Sequence, residues 1–435
     1  VIDQTGILGK YVKRSIAISE AGPSFSAKAV ASYVQKAIDW TAAWPFGVVH
    51  INLPFDEPLE PIDDQRFEAA LAASGLEEYF KAGEFGHYRC KAPAIDASDI
   101  ERLKGLCNDA KKPFLIVGSL TDDADQKRVQ SLLSNITIPY FIDISSSLKD
   151  NYKGLSDLRD SAAKAWWDGY KPDLIIHLGG RLVTRSFEKA FSKKQDSPIK
   201  QVIISLEDQI VDVNHAGVWH LQSSPSSVCD AISAAFTGVG APVDWCLDKA
   251  AAADNWSQQW QGVASSIWER LPSSFDLFLG NSTTIRLFDE ALGQGQLQPT
   301  RRVFCNRGAS GIEGLVSSGI GVEVGSGSPV CVVLGDISLM HDLNSLLSLK
   351  LIKARIVVIV LNDGKGGIFD QLPIGKHPHV CHPYISTPHE FSFAGVADMA
   401  KLPYKKVKSA EELSNALDAL HESDLPSLIE LNPLL

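Results

Sequence analysis

Asp336 and Asp363 each close an unbroken apolar run, "PVCVVLGD" and "RIVVIVLND", and one helical stretch, "LNSLLSLKLIK", lies between the two runs. Runs of that composition belong in a parallel sheet covered on both faces. A helix joining them is the right-handed crossover that makes two strands parallel. In such sheets ligands bind beyond the carboxyl ends of the strands, so the two carboxylates can converge where a ligand is expected. Gly335, just before the first aspartate, lets the backbone approach that ligand closely. The helix that follows offers N–H groups and a positive dipole end, which suit a phosphate. Two carboxylates together with phosphate oxygens are the donors of a magnesium site. Gly364, Gly366 and Gly367 form a turn whose carbonyls can complete the octahedron. The plainer alternative makes Asp336 a helix cap and Asp363 a turn former. It accounts for each residue singly, but not for the spacing, the preceding glycine and the glycine-rich turn together.

A second set of residues could hold anions. Ser282 and Arg286 are four apart at the start of a predicted helix, hence on one face. A hydroxyl, a guanidinium and a helix N-terminus suit a carboxylate; an N-cap serine and a solvated arginine are the alternative. Arg307 follows a short strand and precedes a glycine-containing turn, a position equally open to a surface arginine. Ile312, Ile368 and Phe369 read by themselves as core or turn residues. Other features carry less. "GSG" at 325–327 precedes a strand and lacks the strand–glycine–helix order of a dinucleotide site. His341 reads as structural, and the pairs at 301–302 and 405–406 read as solvated.

The elements that must position these groups alternate between short β-branched runs and helical patterns, the grammar of parallel α/β sheets. A helix is expected over 24–43, with Ala27, Ala31, Val34, Ala37 and Ile38 on one face, followed by a strand at 47–53. Pro54, Pro58 and Pro61 mark a linker. Strands follow at 113–119, 138–144, 173–179 and 201–206, and the segment 236–245 reads as the next boundary. A helix near 255–270 leads to strands at 277–280, 303–305, 329–336, 355–363 and 426–432. Ser409 and Glu412 have capping-box spacing. Three blocks result: 1–61, 62–240 (Rossmann-like) and 241–435.

A chain of 435 residues has length for two or three such domains. Its formal net charge of −11 argues against nucleic acid or an anionic membrane as the main partner. Seven scattered cysteines with no Cys-x-x-Cys pair favour a reducing compartment over a disulfide framework or structural zinc. No apolar run approaches the roughly 20 residues of a membrane span, so no integral membrane segment is expected.

Gly335-Asp336 and, one crossover later, Asn362-Asp363 resemble the signature of thiamine diphosphate enzymes. Ile337 stands where that signature has a second glycine, and Asp363 where its commonest form has asparagine; aspartate keeps the oxygen donor. The strings "GNSTTIRLFDEAL", "NRGASGIEG", "GDISLMHDLNSL", "GGIFDQLP" and "VVHINLPFDEPLEP" resemble one branch. It is the 2-succinyl-5-enolpyruvyl-6-hydroxy-3-cyclohexene-1-carboxylate synthases of menaquinone and phylloquinone biosynthesis. The likeness spans essentially the whole chain and is strongest over 277–374.

The resemblance implies a thiamine diphosphate-binding α/β fold, its parallel sheets flanked by helices. The chain would hold the end of a pyrimidine-binding domain (1–61), a central domain (62–240) and a diphosphate- and Mg-binding domain (241–435). Carried over residue by residue, Asp336, Asp363 and the Lys365 carbonyl would bind Mg2+ (or Mn2+). Gly335, Asp336, Ile337 and Ser338 would meet the diphosphate. Ile312 would be the apolar prop under the cofactor, and Ile368 and Phe369 would lie against cofactor and substrate. Ser282, Arg286, Arg307 and Arg185 would bind substrate, with Ser186 standing where some members have a second basic residue.

The implied reaction decarboxylates 2-oxoglutarate and adds the four-carbon unit to isochorismate in a 1,4 sense. Both substrates are dianions, which arginine forks can grip. A homodimer or homotetramer is implied, in the cytoplasm or in a plastid stroma. The glutamate that activates the cofactor lies, in these synthases, in a segment preceding the counterpart of Val1. The expectation is therefore a chain inactive alone. Alternatives are another thiamine diphosphate-dependent decarboxylase or carboligase of the acetolactate synthase kind, and a non-catalytic homologue.

Overall fold

The computed structural model describes residues 4–18, 27–55, 69, 72–77, 81, 93–149, 169–184, 199–207, 219–237, 255–292, 301–421 and 425–432. The described residues fall into two compact units, one within Val1–Ile95 and Leu206–Gln209, the other within Asp96–Ser205 and Ile210–Leu435.

In the first unit, strands β1 (Arg14–Ala17) and β2 (Val49–Asn52) pair in parallel, joined through helix α1 (Ala27–Ala42). The Lys13 ammonium donates to the Trp40 and Ala43 carbonyls and so ties off the end of α1. The helix forms where its spacing predicts, but its apolar stripe is only partly covered. Ala37 is buried, whereas Val34 is 40 % and Ile38 55 % exposed. Of the linker prolines, Pro58 and Pro61 lie outside the described residues.

The second unit holds two parallel sheets. One is ordered β4-β3-β5-β6-β7, from β3 (Pro113–Val117), β4 (Tyr140–Ile142), β5 (Leu174–Leu178), β6 (Lys200–Ser205) and β7 (Trp219–Gln222). Helices α2 (Ala97–Asp109), α3 (Asp123–Asn135) and α4 (Cys229–Phe236) accompany it. Asp96 and Asp122 cap α2 and α3 by accepting from backbone amides in their first turns.

The other sheet is ordered β12-β13-β11-β10-β8-β9. Its strands are β8 (Asp276–Leu279), β9 (Val303–Phe304), β10 (Val330–Gly335), β11 (Ile356–Leu361), β12 (Tyr404–Val407) and β13 (Ser427–Leu431). All its pairings are parallel. Alternate residues of the central strands feed two cores. Cys331, Val333, Val357, Ile359 and Leu361 face one; Val330, Val332, Leu334, Ile356, Val358 and Val360 face the other. This explains the unbroken apolar runs. Each such side chain taken from water contributes about 1.5–3 kcal/mol before entropy is counted.

Helices α5 (Asn255–Arg270), α6 (Thr283–Ala291) and α7 (Leu315–Ser326) flank the sheet. A Cβ on Gly319 of α7 would lie 2.3 Å from Val332 Cγ2, so only glycine lets this helix sit so close to β10. Between Asp336 and Asp363 the sequence predicts one helix, but the structure has two, α8 (Asp336–Met340) and α9 (Leu343–Leu351). The break falls at Asp342, which leaves helical geometry at φ −130° and accepts from the Val316 amide at 2.7 Å. That bond satisfies an orphan N–H at the buried start of α7.

Three strands have no forecast. β1 and β7 carry little apolar signal, and β12, "YKKV", is an edge strand whose lysines guard it. Ser409 accepts from Glu412 N as predicted, while Glu412 reaches Lys408 N rather than Ser409 N. Of the arginines at 301–302, the first is not solvated, while the side chain of the second is 43 % exposed. Arg301 is buried, donating to the Leu271, Pro272 and Phe275 carbonyls, and Arg302 pairs with Asp276. Arg301 thereby satisfies the chain reversal ahead of β8.

Candidate functional site

Chain order reverses between β8 and β10: from β8 the chain runs outward to β9 and returns to β10 on the other side. Ligand crevices form at such a switch point. A cavity lies there, lined among others by Asn281, Ser282, Ile312, Gly335, Asp336 and Asp363, and by the turn from Lys365 to Phe369. Ile337 and Ser338 are also in its wall. Thus Ser282, Ile312, Gly335–Ser338, Asp363, Lys365, Ile368 and Phe369, all singled out from sequence, meet around one space.

Gly335 lines this cavity, and a Cβ added to it would project into open space. A side chain there would occupy room that a ligand could use. Ser282 has φ +70° and ψ −131°, a conformation rarely adopted by residues other than glycine, and its side chain makes no capping bond to α6. Strain of this kind costs on the order of 1–3 kcal/mol and gathers at functional sites. The N-cap reading of Ser282 is therefore not what the geometry shows.

Asp336 is buried at the start of α8. Its Oδ1 accepts from Ile337 N at 2.7 Å and its Oδ2 from Gly364 N at 2.9 Å. Asp363 accepts from Lys365 N at 3.2 Å. Burial pushes the Asp336 carboxyl up, against the pull of its backbone donors. Burial, joined by the charge of Asp336, pushes Asp363 up further. The nearest lysine does not form an ion pair with either acid: the Lys365 ammonium bonds Asp370 at 2.5 Å.

A buried and a half-buried carboxylate side by side, with oxygen donors only, are the chemistry of a hard divalent cation. Among the described residues no group of three or more His, Cys, Asp or Glu is placed to hold a metal by itself. A cation here would draw its remaining oxygens from the Lys365 carbonyl, water and a ligand phosphate. The residues present fit such a cation and the diphosphate it would carry.

The arginines adjoin the cavity without lining it. Arg286 donates to the Ser282 carbonyl one turn back, as their spacing predicts. Arg307 donates to Asn281 Oδ1 at 3.1 Å, and Asn281 Nδ2 donates to the Gly311 carbonyl at 2.7 Å. Arg185 and Ser186 lie outside the described residues. His341 sits at the C-cap of α8.

Three functional candidates escaped sequence reasoning. Asn281, buried between Arg307 and the 311 turn, carried one signal: it follows a glycine at a strand end. Trp260, from α5, also enters the cavity wall. His389, whose Nε2 is 3.2 Å from Asp336 Oδ2, carried no local signal.

The family described as "Thiamine pyrophosphate enzyme, C-terminal TPP binding domain" matches residues 291–431, which include both aspartates and the glycine-rich turn. The 2-succinyl-5-enolpyruvyl-6-hydroxy-3-cyclohexene-1-carboxylate synthase of Chlorobium phaeovibrioides is 28% identical over 444 residues, covering 99% of this chain and 75% of that protein. The synthase of the same name from Chlorobaculum tepidum is 29% identical over 419 residues, covering 93% and 70%. The one from Rubrobacter xylanophilus is 28% identical over 454 residues, covering 99% and 75%. Among solved structures, the Rhodococcus jostii RHA1 thiamine diphosphate-dependent 4-hydroxybenzoylformate decarboxylase superposes with a TM-score of 0.66. It does so at 18% identity, covering 99% of this chain and 77% of that one. That likeness speaks for the fold, a thiamine diphosphate-dependent enzyme architecture of parallel sheets flanked by helices. Residues 291–431 thus match a thiamine pyrophosphate-binding domain, and almost the whole chain is similar to the 2-succinyl-5-enolpyruvyl-6-hydroxy-3-cyclohexene-1-carboxylate synthases.

Proposed function

We propose that this chain serves the reaction of the synthases it resembles, decarboxylation of 2-oxoglutarate and addition of the four-carbon unit to isochorismate. The observation that carries the reading is the convergence of Ser282, Ile312, Gly335–Ser338, Asp363, Lys365, Ile368 and Phe369 on one cavity at the sheet's switch point. Asp336, Asp363 and the Lys365 carbonyl would hold Mg2+ or Mn2+, and Gly335, Ile337 and Ser338 would meet the diphosphate. When bound, thiamine diphosphate supplies an acidic ring carbon and an electron sink for decarboxylation. Ile312, Ile368 and Phe369 line the apolar part of the wall and exclude water from that carbon.

Both substrates are dianions, and the cavity rim has matching cations. Arg286 is fixed by the Ser282 carbonyl and Arg307 by Asn281, so each guanidinium is oriented before substrate arrives. Arg185 is assigned to the same task on sequence grounds. The working form is a homodimer or homotetramer, which solution mass measurements check. Binding of 2-oxoglutarate and of isochorismate, followed calorimetrically with Mg2+ and thiamine diphosphate present, tests the substrate assignment whether or not the chain turns over alone. Arg307→Ala and Arg286→Ala should each weaken that binding at least about tenfold, the loss of a charge-assisted bond. Unaltered binding in both would refute the dianion site. Preference for a small neutral acceptor would favour another carboligase of this enzyme class.

A further inference from the structure

The 386–389 segment runs beside the turn that carries Asp363 and Lys365. Gly366 N donates to the Ser386 carbonyl and His389 N to the Gly364 carbonyl, both at 2.7 Å. The His389 side chain is 4 % exposed. Its ring stacks on Phe391 with centroids 5.0 Å apart, and its Nδ1 accepts from the Phe391 amide at 3.2 Å. Because Nδ1 accepts, the ring proton sits on Nε2. Nε2 lies 3.2 Å from Asp336 Oδ2, yet it is off line and completes no hydrogen bond among the described residues.

This Nε2–H is thus a buried donor whose nearest acceptor is the carboxylate proposed to bind the cation. It is not itself a cation ligand, since the nitrogen that would coordinate carries the proton. A second layer fixes its backbone. Asn362 Nδ2 donates to the Phe391 carbonyl and to Glu430 Oε1, and Glu430 Oε2 accepts from Phe393 N. Glu430 is fully buried, and burial raises its carboxyl while donors from Phe393, Tyr404 and Asn362 outweigh that and hold it ionised.

We propose that His389 is a positioning residue for Asp336. Its Nε2–H and the Gly364 amide together hold Oδ2, so that Asp336 presents Oδ1 to the cation. Ligating carboxylates need such partners, and losing one typically costs ten- to a hundredfold in metal affinity. The inference rests on the magnesium reading above, and the test separates the two.

Mg2+ is titrated calorimetrically into the full chain with thiamine diphosphate present, for wild type, Asp336→Ala, His389→Phe and His389→Gln. Phenylalanine keeps the stack on Phe391 and removes the donor, while glutamine places an amide N–H near the Nε2 position. His389→Phe should weaken Mg2+ binding about ten- to a hundredfold, and His389→Gln should stay within about threefold of wild type. Thermal melts of both variants confirm folding. Wild-type affinity in His389→Phe, or equal loss in both His389 variants, would overturn the proposal. Wild-type affinity in Asp336→Ala would instead refute the magnesium site itself.

Discussion

Two acidic pairs lie in the same unit of this protein, and they are provided for differently. Asp143 and Asp289 enclose Lys149, whose ammonium bonds Asp289 at 2.5 Å and lies 4.9 Å from the centre of the Phe141 ring. The side chains of Lys149 and Asp289 are 3 % and 7 % exposed. Asp289 also accepts from Ile144 N, while Asp143 accepts from Ser145 N, Ser145 Oγ and Val183 N. This pair carries its own cation, and its bonds knit the end of β4 to helix α6. Asp336 is as deeply buried and Asp363 is half-buried, and both have backbone donors, but their neighbouring ammonium, from Lys365, is turned to Asp370. A buried acid pair with a resident lysine is structural. A pair from which the chain withholds its lysine is chemically matched to a cation from outside.

Removing the resident cation should have the largest effect. Lys149→Met leaves two buried carboxylates without their counter-ion and should cost about 3–5 kcal/mol in urea unfolding. A loss below about 1 kcal/mol would show that Lys149 is not what permits that pair. Asp336→Asn, by contrast, relieves repulsion and should leave cation-free stability unchanged or raised.

Ligand addition should act on the second pair alone. Mg2+ with thiamine diphosphate at a hundredfold excess over Kd should stabilise the wild type by about 2.7 kcal/mol. It should do nothing for Asp363→Ala, as thermal melts would reveal.

The pH dependence sharpens the contrast. In the cation-free chain, burial holds Asp336 up at about 6, and burial together with the charge of Asp336 holds Asp363 up at about 7. A carboxyl raised above its unfolded value contributes stability at low pH that is lost as pH rises through the folded value. Cation-free stability should therefore fall between about pH 5 and 8, by at most about 1.4 kcal/mol per pH unit for each proton released. Asp143 is also raised by burial, to about 6, so the comparison that isolates the site is wild type against Asp336→Asn, whose slope should be shallower. Cation binding requires both acids ionised, so Mg2+ affinity should weaken from pH 8 to pH 6, with proton release measurable in buffers of different ionisation enthalpy.

The smallest effect is expected at Lys365→Met. Its ammonium is about one-third exposed in its pair with Asp370, and such pairs contribute about 0–1 kcal/mol. Because the expected ligand is the backbone carbonyl, Mg2+ affinity should stay within about threefold. A larger loss would mean that the side chain belongs to the cation site after all.

Much of this contrast could be read in the sequence, and the reason is local. The apolar runs before Asp336 and Asp363 fix their strands, and a parallel sheet puts strand ends together without further information. Ser282 and Arg286 were legible because helical spacing alone determines their contact. The break at Asp342 was not, because it depends on the amide of Val316 in another element. Arg301 read as solvated because three carbonyls from a distant turn receive it. His389 and Lys149 gave no local sign either, since each acquires its role from an acid brought near only by the tertiary fold. The strands β1, β7 and β12 are too short or too polar to declare themselves by pattern.

The central claim is that Asp336 and Asp363 are built to share a cation that carries a diphosphate. The affinity of thiamine diphosphate for the chain, measured by calorimetry with and without Mg2+, tests it most directly in wild type and Asp336→Ala. The expected result is tight, Mg2+-dependent binding in wild type and loss of at least about 1.4 kcal/mol, a factor of ten, in the variant. Equal affinity in the two proteins, or binding in wild type indifferent to Mg2+, would contradict it.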